Sequence, residues 1–101
     1  NKITTIGPHA FRHLQFFEGR LILRYNQIQS IDPFAFVDLY SLNNLSLANN
    51  HIEDLTSRHF QSLTQLIELD LSSNRIDQLN GSIFDNLTSL QVLRLNRNPL
   101  T

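Results

Sequence analysis

The sequence predicts an α/β solenoid, with short parallel strands along a concave face and irregular or short helical turns returning along a convex face. Three observations predict it. The stretch Leu66-Ile67-Glu68-Leu69-Asp70-Leu71-Ser72-Ser73-Asn74 reads L-x-x-L-x-L-x-x-N, and the frame recurs at Leu42 to Asn50, at Leu90 to Asn98 and, with its first half disturbed, at Glu18 to Asn26. The closing asparagines Asn26, Asn50, Asn74 and Asn98 stand 24 residues apart. Apolar columns between the frames keep the same beat: Ile28, Ile52 and Ile76; Ile31, Leu55 and Leu79; Phe36, Phe60 and Phe84; Leu39, Leu63 and Leu87. Self-similarity at a fixed period decides the architecture before any local propensity does. A unit this short buries its apolar face only against its neighbours, so the core is a continuous ribbon.

Taken in order, Asn1-Lys2-Ile3 reads as the tail of an earlier frame, and the chain is expected to be a fragment, 1–101, of a longer array of about four repeats without caps. Residues 3 to 17 carry Ile6, Phe11, Leu14 and Phe17 through a segment that Gly7-Pro8 breaks too early for a long helix. Leu14 to Leu21 spans seven residues where Leu39 to Leu45, Leu63 to Leu69 and Leu87 to Leu93 span six. The extra residue falls within Phe16-Phe17-Glu18-Gly19, and a bulge at Gly19 is expected, because positive φ is least costly at glycine. Inside each frame the Leu-x-Leu alternation has period two, turning leucines inward and the residues between them outward on a short strand. Returning segments such as Asp54 to Thr64 have room for turns and a helical turn or two. The phenylalanine column should stack into a spine, worth about 0.5–1.5 kcal/mol per well-placed pair beyond burial. Each asparagine side chain should satisfy backbone groups left unpaired where the chain bends after the strand.

These columns resemble the leucine-rich repeat family, specifically its extracellular 24-residue class with a phenylalanine spine, over essentially the whole chain. The resemblance implies a right-handed horseshoe similar to arrays in Toll-like receptors, Slit-type guidance ligands and receptors that combine such repeats with immunoglobulin domains. The closing Asn98-Pro99-Leu100-Thr101 is similar to the step that precedes a disulfide-bonded C-terminal cap in extracellular members of the family. Neither the L-x-G-x-I-P pattern of plant receptor repeats nor the 28–29-residue alternation of the ribonuclease-inhibitor type is present.

A net charge of −1 argues against a nucleic-acid partner, which calls for a basic stripe. The longest apolar run, Phe34-Ala35-Phe36-Val37, is far short of the roughly 20 residues of a membrane helix, so a membrane enters only through segments outside this stretch. The absence of cysteine says nothing about redox compartment. Three N-x-S/T acceptors, at Asn44, Asn80 and Asn86, favour glycosylation and an extracellular or secreted location. His9 and His13 have the spacing of a helical metal pair but no third ligand, and read as solvated, as do His51 and His59. No nucleophile with a base and no phosphate loop is found, and Glu68 and Asp70 on an open sheet would stay ionised, so no catalysis and no cofactor is expected.

What remains is a surface for a protein ligand or co-receptor. The outward positions are Arg20, Ile22, Arg24 and Tyr25; then Asn44, Ser46, Ala48 and Asn49; then Glu68, Asp70, Ser72 and Ser73; then Val92, Arg94, Asn96 and Arg97. They differ from frame to frame, so stacking does not choose them. Arg24, Tyr25 and Arg97 are the expected anchors, since Arg and Tyr most often carry interface energy. Glu68, Asp70 and Arg94 complete the expected ligand-binding set, with Asp70 and Arg94 paired across adjacent strands. The resemblance implies an interaction module in the ectodomain of a cell-surface receptor or adhesion protein. Its alternative is the non-catalytic repeat region of a secreted matrix enzyme similar to peroxidasin.

Overall fold

The computed structural model describes residues 2–100. Its strands are β1 (Thr5–Ile6), β2 (Arg20–Ile22), β3 (Ser30–Ile31), β4 (Asn44–Ser46), β5 (Glu68–Asp70) and β6 (Val92–Arg94). The frames build one parallel four-stranded sheet in the order β2-β4-β5-β6, with Arg20, Asn44, Glu68 and Val92 in register. The parallel ladder continues past the strands, through Leu23 N to Ser46 O (2.8 Å), Leu47 N to Asp70 O (2.9 Å) and Leu71 N to Arg94 O (2.9 Å). Strands β1 and β3 form a second, two-stranded parallel sheet that pairs Thr5 with Ser30 and Ile6 with Ile31. Pattern reading missed this pair, because two-residue strands are too short to show an alternation. The returning segments contain the 3₁₀ turns Arg12–Leu14, Ser57–Phe60 and Gly81–Phe84.

The repeated columns close the interior. Ile28, Phe36, Leu39, Leu42, Leu45, Leu47, Ile52, Phe60, Leu63, Leu66, Leu69 and Leu71 are all essentially inaccessible. The phenylalanines stack as two pairs rather than one unbroken spine: Phe11 on Phe36 (5.8 Å, 7°) and Phe60 on Phe84 (6.0 Å, 26°). A further buried column, Ala35, His59 and Ile83, escapes a search for apolar identity because its residue types differ. His59 is not solvated, contrary to the sequence reading. Its Nδ1 accepts from Thr56 N (3.0 Å) in a capping box at the start of the 3₁₀ turn, and its Nε2 lies 2.7 Å from Ile31 O. A carbonyl only accepts, so Nε2 carries the proton, and a buried imidazole ties two repeats together.

Each turn after a strand is built the same way. The residue before the asparagine is left-handed in all four frames: Tyr25 (φ 61°), Asn49 (59°), Ser73 (57°) and Arg97 (60°). That sharp bend leaves carbonyls pointing inward, and the asparagine amide collects them. Asn50 Nδ2 donates to Leu23 O (3.0 Å) and Leu47 O (3.0 Å), while its Oδ1 accepts from Ile28 N (3.1 Å). Asn74 repeats the set with Leu47 O (2.9 Å), Leu71 O (3.1 Å) and Ile52 N (3.1 Å). Asn98 does so with Leu71 O (2.9 Å), Leu95 O (3.1 Å) and Ile76 N (3.1 Å). Asn1, the residue read as an earlier frame's end, lies outside the described residues, as does Thr101.

Gly19 is not the bulge that the sequence suggested, for no described glycine has positive φ. It already stands in register. Gly19 O accepts from Asn43 N (3.0 Å) and Asn44 N (3.1 Å), as Asn43 O accepts from Ile67 N (2.7 Å) and Glu68 N (3.2 Å). Phe17 N bonds Leu14 O (2.9 Å) just as Leu42 N bonds Leu39 O (3.3 Å), so Phe17 takes the place of the first frame leucine and Glu18 is the inserted residue. A Cβ at position 19 would meet the Phe17 ring as it stands, so a larger residue there would displace that half-exposed ring.

Candidate functional site

The open face of the four-stranded sheet is a rigid platform, because its backbone groups are spent on the ladder and its inner leucines are locked in the ribbon. Arg20, Ile22, Arg24, Asn44, Leu45, Ser46, Glu68 and Asp70 line one recess of about 120 Å³ on it. The arginines stand on the β2 side, the carboxylates on the β5 side, and Ser46 forms the floor between them, in register with Ile22 and Asp70. Ser46 and Ala48 belong to this face, yet they are buried rather than exposed as the sequence suggested. Short side chains sink between long neighbours on a pleated surface, which alternation alone does not reveal.

The expected cross-strand ion pair is redirected. Asp70 and Arg94 are in register, but Arg94 Nε pairs diagonally with Glu68 Oε2 (3.6 Å). Asp70 Oδ1 instead accepts from Ser72 N (3.0 Å) and Ser72 Oγ (2.6 Å), a local turn bond that competes with any cross-strand partner. With 54% of the Arg94 side chain exposed, the Glu68 pair stabilises by about 0–1 kcal/mol. Among the described residues no ion pair engages Arg20, Arg24 or Arg97.

The predicted anchors do not converge. Arg24 and Tyr25 follow β2, at one edge of the sheet, whereas Arg97 follows β6, at the other, three strand spacings or roughly 14 Å away. All three are exposed, and Tyr25 keeps 65% of its surface in solvent. Residues passed over as anchors, Arg20 and Ser46, belong to the recess itself; lateral packing between frames, invisible in a linear pattern, brings them there. Four arginines (20, 24, 94 and 97) face two carboxylates (68 and 70) on this side, a positive surplus in a chain of net charge −1.

The three glycosylation acceptors occupy different settings. Asn44 is half-buried in the recess, while Asn80 and Asn86 are exposed on the returning segments. Asn80 caps the turn Gly81–Phe84, its Oδ1 accepting from Ser82 N (3.0 Å) and Ser82 Oγ (2.9 Å). Among the described residues no group of three or more His, Cys, Asp or Glu side chains is placed to hold a metal. No described helix is long and apolar enough to cross a membrane.

A family model for the leucine rich repeat matches residues 19–76 and, overlapping, 41–100. The chain belongs to the leucine-rich repeat family. No curated protein matches it. Among solved structures it is similar to the TLR13–ssRNA13 complex, with 31% identity and a TM-score of 0.86 over 94% of this chain and 14% of that one. It is also similar to Toll in the Drosophila Toll–Spatzle complex, a molecular hub in development and innate immunity, with 30% identity and a TM-score of 0.84 over 97% of this chain and 13% of that one. The leucine-rich repeats described here thus span about a seventh of the length of these Toll-type arrays.

Proposed function

We propose that these repeats are a protein-interaction module in the ectodomain of a cell-surface receptor or adhesion protein, and that they bind a protein ligand or co-receptor through the concave face. The observation that carries this reading is a division of labour. The stacking columns are closed through the two middle frames, while the concave columns hold exposed Arg20, Arg24, Tyr25 and Arg97 with no ion partner among the described residues. Such side chains on a rigid sheet are pre-organised for a partner. Similarity to Toll-type arrays supports an extracellular or lumenal setting, and the exposed acceptors Asn80 and Asn86 agree with it. One of the two similar structures carries RNA and the other a protein. Here Glu68 and Asp70 stand in the middle of the face and would repel a phosphate chain, which favours the protein.

The test is expression of the full-length protein in a secretory cell line, with glycan mapping and capture of surface or secreted partners. Glycans are expected at Asn80 and Asn86 and not at Asn44, whose glycan would fill the recess. Capture is expected to fail for Arg24→Gln, Tyr25→Asn and Arg97→Asn at unchanged melting temperature. Full occupancy of Asn44, or capture indifferent to all three substitutions, would sink the reading.

A further inference from the structure

Resting on the reading of the concave face as the binding surface, we infer that the recess between β2 and β5 is a subsite for one carboxylate side chain of the protein partner, held by Arg20, Arg24 and the Ser46 hydroxyl.

Size sets the first limit. A volume of about 120 Å³, open to solvent on one side, is room for the end of one side chain. Charge sets the second. Both carboxylates of the recess already have partners, Glu68 in Arg94 and Asp70 in Ser72, whereas neither guanidinium has one among the described residues. With Glu68 paired to Arg94 and Asp70 hydrogen-bonded to neutral Ser72, the two arginines outweigh the remaining acidic charge on the β5 side. Two guanidiniums lining one recess are suited to a carboxylate, which each can bind with charge-assisted hydrogen bonds.

Ser46 supplies the third observation, independent of charge. It is 8% exposed, and its Oγ is buried with no hydrogen-bond partner. A buried hydroxyl left unpaired is destabilising, and native structures rarely keep one without a use. Here it forms the floor of the recess, where a carboxylate oxygen reaching past the arginines would accept a hydrogen bond from its O–H.

The acidic wall then defines what must accompany that carboxylate. Strands β2 and β5 are two spacings apart, roughly 10 Å, and side chains two positions apart on an extended peptide share a face roughly 7 Å apart, a gap that a long basic side chain closes. A partner segment with an acidic residue over Arg20 and Arg24 and a basic residue two positions away, over Glu68 and Asp70, presents both side chains on one face and matches both walls. A nucleic acid does not match, because its next phosphate would fall on the acidic wall.

The experiment is a chemical-shift titration of the full-length protein with the capped hexapeptide Gly-Gly-Asp-Gly-Lys-Gly. Controls are the same peptide with Asn for Asp, and a short oligouridylate. The Asp peptide is expected to shift the Ser46 and Arg24 amides, and its affinity to fall about tenfold with the Asn peptide, with Arg20→Gln or with Arg24→Gln. Ser46→Ala should weaken binding about threefold, the loss of one hydrogen bond, while leaving the melting temperature equal or higher. Equal binding of the Asn peptide overturns the inference, and so does tighter, arginine-dependent binding of oligouridylate. It is likewise overturned if Ser46→Ala lowers the melting temperature and leaves binding intact. If natural-partner capture depends on Tyr25 and Arg97 while Arg20→Gln and Arg24→Gln change neither assay, this subsite falls and the concave-face reading stands. If all four substitutions are silent in capture, both fall.

Discussion

The turn at Asn50 and the turn at Asn26 have the same backbone but not the same chemistry. Both follow a left-handed residue, Asn49 and Tyr25, and both bury their amide. Asn50 binds its own frame and the preceding one, through Leu23 O and Ile28 N. Among the described residues Asn26 bonds its own turn, at Leu23 O (2.9 Å) and Arg24 O (3.5 Å), and its Oδ1 is buried without a partner there, no preceding frame being stacked on it. The insertion of Glu18 lies in this same first frame, where Phe17 replaces a fully buried leucine and stays 42% exposed. Turn geometry is thus a property of one frame, whereas the stabilising function of the asparagine is a property of two stacked frames.

The largest contrast should be in the core. Leu69→Ala, at an inaccessible site on β5, is expected to lower stability by about 3–4 kcal/mol, against about 1–2 kcal/mol for partly exposed Leu21→Ala on β2. Chemical denaturation of the two variants measures the difference, and equal losses would mean that the first frame is as tightly packed as the third. Next, Asn50→Ala should lose about 3 kcal/mol, because it strands the buried Ile28 N–H and removes the amide's own bonds to Leu23 O and Leu47 O, which keep only Asn26 and Asn74 as donors. In the isolated stretch 1–101, Asn26→Ala should lose no more than about 1 kcal/mol, since no preceding frame stacks on its amide there.

His59→Ala should fall between these, at about 2 kcal/mol, through the loss of the bonds to Ile31 O and Thr56 N. Hydrogen exchange is expected to show the Ser57–Phe60 turn opening first; uniform loss of protection would show that the imidazole only fills space. Smallest is Tyr25→Asn, expected to leave stability unchanged or raise it by about 0.5 kcal/mol, because asparagine tolerates φ near 60° better than tyrosine does. A clear fall in melting temperature would show that Tyr25 packs on its own frame and is not held out for a partner.

Read alone, the sequence determined the solenoid, its register and its ribbon core. The reason is that one physical requirement, burial against an identical neighbour, is written four times at the spacing of Asn26, Asn50, Asn74 and Asn98. It also determined which side chains face outward on each frame, because the pleat alternates. Only the tertiary structure decided which outward residues meet. Lateral neighbours in the sheet are 24 positions apart in the chain, and rotamer and local turn bonds choose among them: Asp70 turned to Ser72, Arg94 to Glu68, and Arg20 and Arg24 were left facing Ser46 across a shared recess. His59 was hidden for the same reason, since a polar residue in an apolar column is legible only when the carbonyl of Ile31 and the N–H of Thr56 are seen to satisfy it.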